Sequence, residues 1–254
     1  MIKFFRKIRQ NLLMENKTGK YFKYALGEII LVVIGILIAL QINNWNQNRI
    51  NNKQEQQILL QLKSEFEENL EELGRKDNMR EKMINSAEQL FKIKTENSLS
   101  EFPLDTIRFY IAWTYNTPTF DPVLGTTNEL LSSGKLYLIT NNELKTRLTN
   151  WSGQVDRLRE YEQDLRQYNI NNYDPFLTQN FSIKDLFEGV WQEKQYFFSK
   201  ENRVKSVHEY IKNQEVDDYI FNILSLCEWT KKESRVVRTY TNEFLNLISQ
   251  ELSK

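Results

Sequence analysis

His208 is the only histidine and Cys227 the only cysteine in 254 residues, which restricts metal and nucleophile chemistry at once. Zinc sites draw on several Cys or His ligands. Di-iron bundles use paired Glu-x-x-His motifs, and here Lys205 stands three residues before His208. His208 therefore reads as a surface or packing residue, and no metal is expected. Ser132-Ser133-Gly134-Lys135 has the S-x-x-K spacing, and Lys17-Thr18-Gly19 the K-T-G form, of penicillin-binding enzymes. That chemistry needs both motifs in one site on a mixed α/β fold. Here an apolar segment at 29–42 separates them, and a membrane span there would put them on opposite sides of a bilayer. Glu65, Glu67, Glu68, Glu71 and Glu72 supply carboxylates for calcium. They lack the Asp/Asn/Gly loop spacing of a calcium site and read as a solvated helix face. No G-x-S-x-G, Walker A or Rossmann glycine pattern occurs. Cys227 falls in an apolar helical stripe and reads as a small core residue rather than an activated thiol. No motif carries a mechanism, so the chain is expected to be no enzyme and to bind no cofactor.

The elements around these residues follow from composition. The chain is 40% hydrophobic and 27% charged, enough to build a core. Eight glycines and four prolines are too few for a fold made of many turns, so long helices are favoured. One cysteine allows no internal disulfide, and packing alone must hold the fold. Charge is uneven although the net is zero. Residues 1–25 hold seven basic side chains against Glu15 alone, a net of +6, which leaves −6 for the remainder. A basic end of this kind suggests contact with a membrane or nucleic acid.

Gly27 to Asn46 reads GEIILVVIGILIALQINNWN. From Ile29 to Ile42 the only polar side chain is Gln41, over a helix length of about 21 Å. Tyr24 and Trp45 extend the span to about 31 Å, matching a hydrocarbon core of about 30 Å with aromatic residues at both interfaces. A cleaved signal would want a small-x-small site after the apolar run, and Ala39 has no small residue two positions away. A buried core helix fits poorly with the flanking lysines and aromatic pair. The segment is read as a transmembrane helix over 24–45. The positive-inside rule puts residues 1–23 in the cytoplasm and the rest in the periplasm of a Gram-negative cell. Within 1–23, Ile2, Phe5, Ile8, Leu12 and Leu13 recur at helical spacing among Lys3, Arg6, Lys7 and Arg9. That is a basic amphipathic arm for the anionic inner leaflet. Tethering close to a membrane span disfavours nucleic-acid binding.

Glu28 invites two readings. It can reach the cytoplasmic headgroups. It can also join a contact stripe, because Glu28, Gly35, Ala39 and Asn46 fall within about 40° of one another on a helix. Gly35-x-x-x-Ala39 is a small-xxx-small pair that admits a second helix, and an ionisable residue on the same stripe points to a partner helix. That partner would be a second copy or another membrane protein.

The stretch NKTGKYFKYALGEIILVVIGILIALQINNWN (16–46) resembles the opening of a family of single-pass membrane proteins of Bacteroidota, classed as a domain of unknown function. NELLSSGKLYLITNNELKTRL (128–148) is similar to a second patch in that family. The resemblance implies a short cytoplasmic arm, one span and a helical outer domain, and it supplies no site residues.

Beyond Trp45 the polar run NQNRINNKQEQQ has no breaker and continues the helix as a stalk. Leu59, Leu62, Phe66, Leu70 and Leu73 form a coiled-coil-like stripe, which Gly74 is expected to end. Met79, Met83, Ala87, Leu90 and Phe91 predict a second helix, and together the two predict an antiparallel hairpin. Helices are further expected at 104–115 and 128–132, with a turn at Gly134. Another is expected from an N-cap at Asn142 through Leu144, Leu148, Trp151, Val155 and Leu158 to Tyr168. The last 40 residues read as one long helix. The aromatic clusters at 109–120 and 173–198 could line a groove but are read as core.

The expected architecture is all-α: an N-terminal transmembrane helix and stalk, then an extracytoplasmic helical bundle over 46–254. The expected function is a membrane-anchored periplasmic interaction or scaffold protein in the inner membrane, an accessory subunit of an envelope complex. It would contact lipid and, through its membrane helix, a protein partner or its own copy, and no nucleic acid. The alternative is a periplasmic ligand sensor signalling through a partner, since an arm of 23 residues is too short for an output domain.

Overall fold

The computed structural model describes residues 18–96, 99–190 and 200–253. Most of the predicted basic arm, and Trp191, Tyr196, Phe197 and Phe198 of the second aromatic cluster, lie outside the described residues, as do the side chains of Tyr21 and Tyr24. Among the described residues the fold is all-α, with no strand. The helices are α1 (Thr18–Thr95), α2 (Leu104–Thr114), α3 (Gly125–Ser132), α4 (Asn142–Tyr168), α5 (Asp174–Asn180), α6 (Ile183–Phe187), α7 (Lys200–Lys212) and α8 (Glu215–Leu252). Short 3₁₀ turns occupy Leu99–Glu101 and Lys135–Leu138, and a π turn, Asn169–Tyr173, joins α4 to α5. The chain divides into two compact units between Gln57 and Ile58.

Among the described residues one helix, α1, is long and apolar enough, by length and composition, to cross a membrane. None of its apolar window is buried within the chain. From Ile29 to Ile42 every residue is exposed.

The predicted hairpin is not formed. Helix α1 passes Gly74 without a break and continues to Thr95. One glycine inside a helix costs about 1 kcal/mol relative to alanine, and it stops the chain only when left-handed geometry and a cap accompany it. Gly74 has neither, and apolar residues at helical spacing bury on both sides of it, Leu73 before and Met83, Ile84 and Ala87 after. A Cβ at Gly74 would stand 3.7 Å from the Arg238 guanidinium, an ordinary contact.

The N-cap of α4 lies one residue earlier than expected. Asn141, not Asn142, is the N-cap, and its Oδ1 accepts from the backbone N–H of Glu143 at 2.8 Å and of Leu144 at 3.1 Å. Its Nδ2 also donates to Glu251 at 2.6 Å, tying the start of α4 to the end of α8. Asn141→Ala is expected to cost about 1–2 kcal/mol, read as a lowered urea midpoint at unchanged slope. Gly134 supplies the predicted turn at φ 71°, which favours glycine.

Two apolar clusters fill the bundle. One is built from Leu59, Leu62, Phe66 and Leu73 of α1, the Leu144–Leu158 stripe of α4, and Val237, Phe244 and Ile248 of α8. The other gathers Met83 to Ile93 of α1, Ile107 and Ile111 of α2, Leu165, and Ile220, Ile223 and Cys227 of α8, with the aromatic residues Tyr173, Phe176 and Phe181. Most of the described second aromatic cluster is therefore core. In the first, Trp113 and Phe120 are buried, while Phe109 and Tyr115 stay exposed.

Candidate functional site

The four residues of the predicted stripe all lie on the N-terminal part of α1. Glu28 is half-buried, and Gly35, Ala39 and Asn46 are exposed. A Cβ added at Gly35 would meet no atom within 4 Å, so the backbone there is open to close approach. The side chains and spacing would suit helix-to-helix contact in lipid.

The bundle holds polar chemistry that no motif announces. Arg80 of α1 is completely buried, and its guanidinium pairs with the carboxylate of Glu162 of α4, itself 2% exposed. Arg80 also donates to Asp77 Oδ1 at 2.9 Å. Asp77 accepts from Ser234 Oγ of α8 at 2.5 Å and from Arg238 at 2.6 Å. The backbone carbonyl of Arg80 accepts from the Cys227 thiol at 3.5 Å. In this layer Asp77 and Arg80 on α1, Glu162 on α4 and Ser234 on α8 each fall between the residues of one apolar cluster and those of the other.

The layer also holds an extended strap. Residues 116–124 run between α2 and α3 without helix or strand. From 117 to 123 the described hydrogen bonds to strap backbone come from side chains. Phe120 N–H donates to both oxygens of Glu162 at 3.1 Å. Val123 is held from both sides by Asn69, accepting at 2.7 Å and donating at 2.8 Å. Beyond the strap, Glu65 receives Thr126 N–H at 2.5 Å, Thr127 N–H at 3.1 Å and the Thr127 hydroxyl at 2.5 Å. Glu65 thereby leaves the expected solvated face. It is buried, while Glu67, Glu68 and Glu71 remain exposed. The first N–H groups of α3 lack intrahelical partners, and a carboxylate there offsets that deficit and the positive end of the helix.

Burial pushes the Glu162 carboxyl up from 4.5 to about 7, against the opposing pull of the Arg80 guanidinium and the Phe120 N–H. Removing a carboxylate from water costs more than these partners return. Burial likewise raises the Cys227 thiol to about 12, so it stays protonated and unreactive at physiological pH. His208 is exposed on α7. Among the described residues, no group of three or more His, Cys, Asp or Glu side chains is placed to hold a metal ion. Ser132 of the S-x-x-K string donates to Asn128 O at 2.6 Å, a hydrogen bond within its own helix.

Arg80, Glu162 and Ser234 had a signal in the sequence. Buried positions on α4 step by four and three through Leu144, Leu148, Trp151, Val155, Leu158, Glu162 and Leu165. The same stepping on α8 runs through Cys227, Thr230, Ser234 and Val237. A charged or hydroxyl residue standing where the period demands an apolar one marks a buried polar layer.

An N-terminal helix consistent with a membrane anchor, followed by an all-α bundle with a polar layer in its core, defines the class of protein. The chain belongs to a family of unknown function, DUF6090, whose sequence model matches residues 28–187. The match takes in Glu28, the strap, Arg80 and Glu162, and leaves α7 and α8 outside. No curated protein and no solved structure matches the chain.

Proposed function

We propose that this chain is a membrane-anchored interaction or scaffold protein, acting through helix contacts rather than catalysis. In this reading α1 crosses the inner membrane over 24–45 with residues 1–23 in the cytoplasm and the bundle in the periplasm. There it serves as an accessory subunit of a larger envelope complex. The observation that carries the proposal is the unburied apolar run from Ile29 to Ile42. Nothing within the described chain covers it, so its cover is external: lipid over most of its circumference and a partner helix at the Gly35–Ala39 face. Packing of small residues, rather than the hydrophobic effect, drives helix association in lipid.

Crosslinking in native membranes, followed by affinity purification, tests this. A second copy or a defined set of envelope proteins should co-purify. Recovery of the monomer alone at every crosslinker concentration would remove the basis of the reading. Gly35→Leu places a branched side chain on the contact face and should reduce the crosslinked product by about tenfold, a loss of about 1.4 kcal/mol of association. An unchanged yield would assign Glu28 to the headgroups and leave Gly35 without a contact role.

A further inference from the structure

We propose that Glu162 is a proton-operated clasp on the 116–124 strap: charged, it holds the Phe120 backbone and Arg80 together; protonated, it lets the Phe120 half of the strap loosen while the Val123 half stays fastened.

The geometry carries this. Both Glu162 oxygens receive the Phe120 N–H, and Oε1 also receives Arg80. A proton on Oε2 turns that atom into an O–H donor. The Phe120 N–H then loses one acceptor and shares the other, now a neutral carbonyl oxygen, with Arg80. Charge-assisted hydrogen bonds are roughly twice as strong as neutral ones, so both remaining bonds weaken. Arg80 keeps Asp77 as its counter-charge. The second half of the strap has an independent hold, because Asn69 grips Val123 with an amide that does not titrate. Prolines at 118 and 122 and the lack of regular structure at 116–124 leave the strap with little hold of its own.

Several ionisable groups surround Glu162. From α1 these are Arg80 and, behind it, Asp77. The strap contributes Asp121, which favours the protonated form, and α4 itself contributes Arg159, which opposes it. From α8, Arg238 acts through Asp77; the Cys227 thiol, facing Arg80, is uncharged below about 12. Burial outweighs the cations and puts the Glu162 carboxyl at about 7, within reach of an acidifying compartment.

Linkage gives the clasp a distinctive signature. The folded value lies above the unfolded 4.5, so the folded chain binds the proton more tightly. The resulting contribution to global stability is complete below 4.5 and is lost as pH rises through about 7. Acidification thus strengthens the fold at this site while it loosens the strap, whereas ordinary acid unfolding would weaken both.

The test is residue-resolved hydrogen exchange on the full chain in detergent, with protection corrected for intrinsic exchange at each pH. Between pH 8 and pH 5.5 the Phe120 amide should lose about tenfold in protection, the scale of one hydrogen bond, while Val123 holds steady. Glu162→Gln should remove the pH dependence of Phe120. Constant Phe120 protection in the unaltered protein would overturn the proposal, and so would a parallel fall at Val123. Comparing two amides of one strap in the unaltered protein needs no variant, so the test decides the matter even where Glu162→Gln prevents folding.

Discussion

Arg80→Ala should cost the bundle about 3–5 kcal/mol of unfolding free energy. The substitution strands Glu162, which is 2% exposed, without its cation, and it takes from Asp77 one of its donors. The loss comes less from the attraction itself than from the space a fully buried side chain leaves and from the Glu162 carboxyl, already raised to about 7 beside Arg80, which must then take up a proton or stay charged without a counter-ion. Urea unfolding of the full chain in micelles, followed by far-UV circular dichroism, measures it. Replacing the pair together, Arg80→Met with Glu162→Leu, should recover most of the loss, because a buried ion pair and apolar side chains of similar volume are often near equal in stability. A single substitution costing under about 1 kcal/mol would mean that water reaches the layer.

Phe66→Ala should be comparably damaging, at about 3–5 kcal/mol. The Phe66 ring lies 4.9 Å from the Trp151 ring and 4.4 Å from that of Phe244, so one side chain joins α1, α4 and α8. Truncation leaves a cavity that three long helices cannot close by small shifts. Phe66 and Arg80 stand 14 residues apart on α1, about 21 Å along the helix. Their losses should add in the double variant if both apolar clusters melt as one unit. Two separate unfolding transitions would show instead that the polar layer divides the bundle into independently melting halves.

Much of the fold could be read from periodicity. The extents of α2, α4 and α8 follow from apolar residues stepping by three and four, and the apolar run at 29–42 follows from composition. Gly74 misled because a local stop signal was weighed without the tertiary packing that overrides it. The strap stayed hidden for a different reason. Nothing in the order Thr119-Phe120-Asp121-Pro122-Val123 indicates which distant side chain will receive each N–H. Glu65, Asn69 and Glu162 lie 42–62 residues away from what they hold. Glu65 looked like its acidic companions because charge runs carry no phase. Its phase with Leu62, Phe66 and Asn69 is what turns it inward.

The buried thiol of Cys227 has a practical consequence for mapping topology. The sole sulfhydryl of the chain is shielded from solvent and held in its unreactive form. The native sequence therefore behaves towards maleimides as a silent background. A cysteine placed at any exposed position becomes the only reactive point on the molecule. Paired placements on either side of the Ile29–Ile42 run, challenged with a reagent that cannot cross bilayers, would report the orientation of the chain in intact cells without first stripping out a native cysteine.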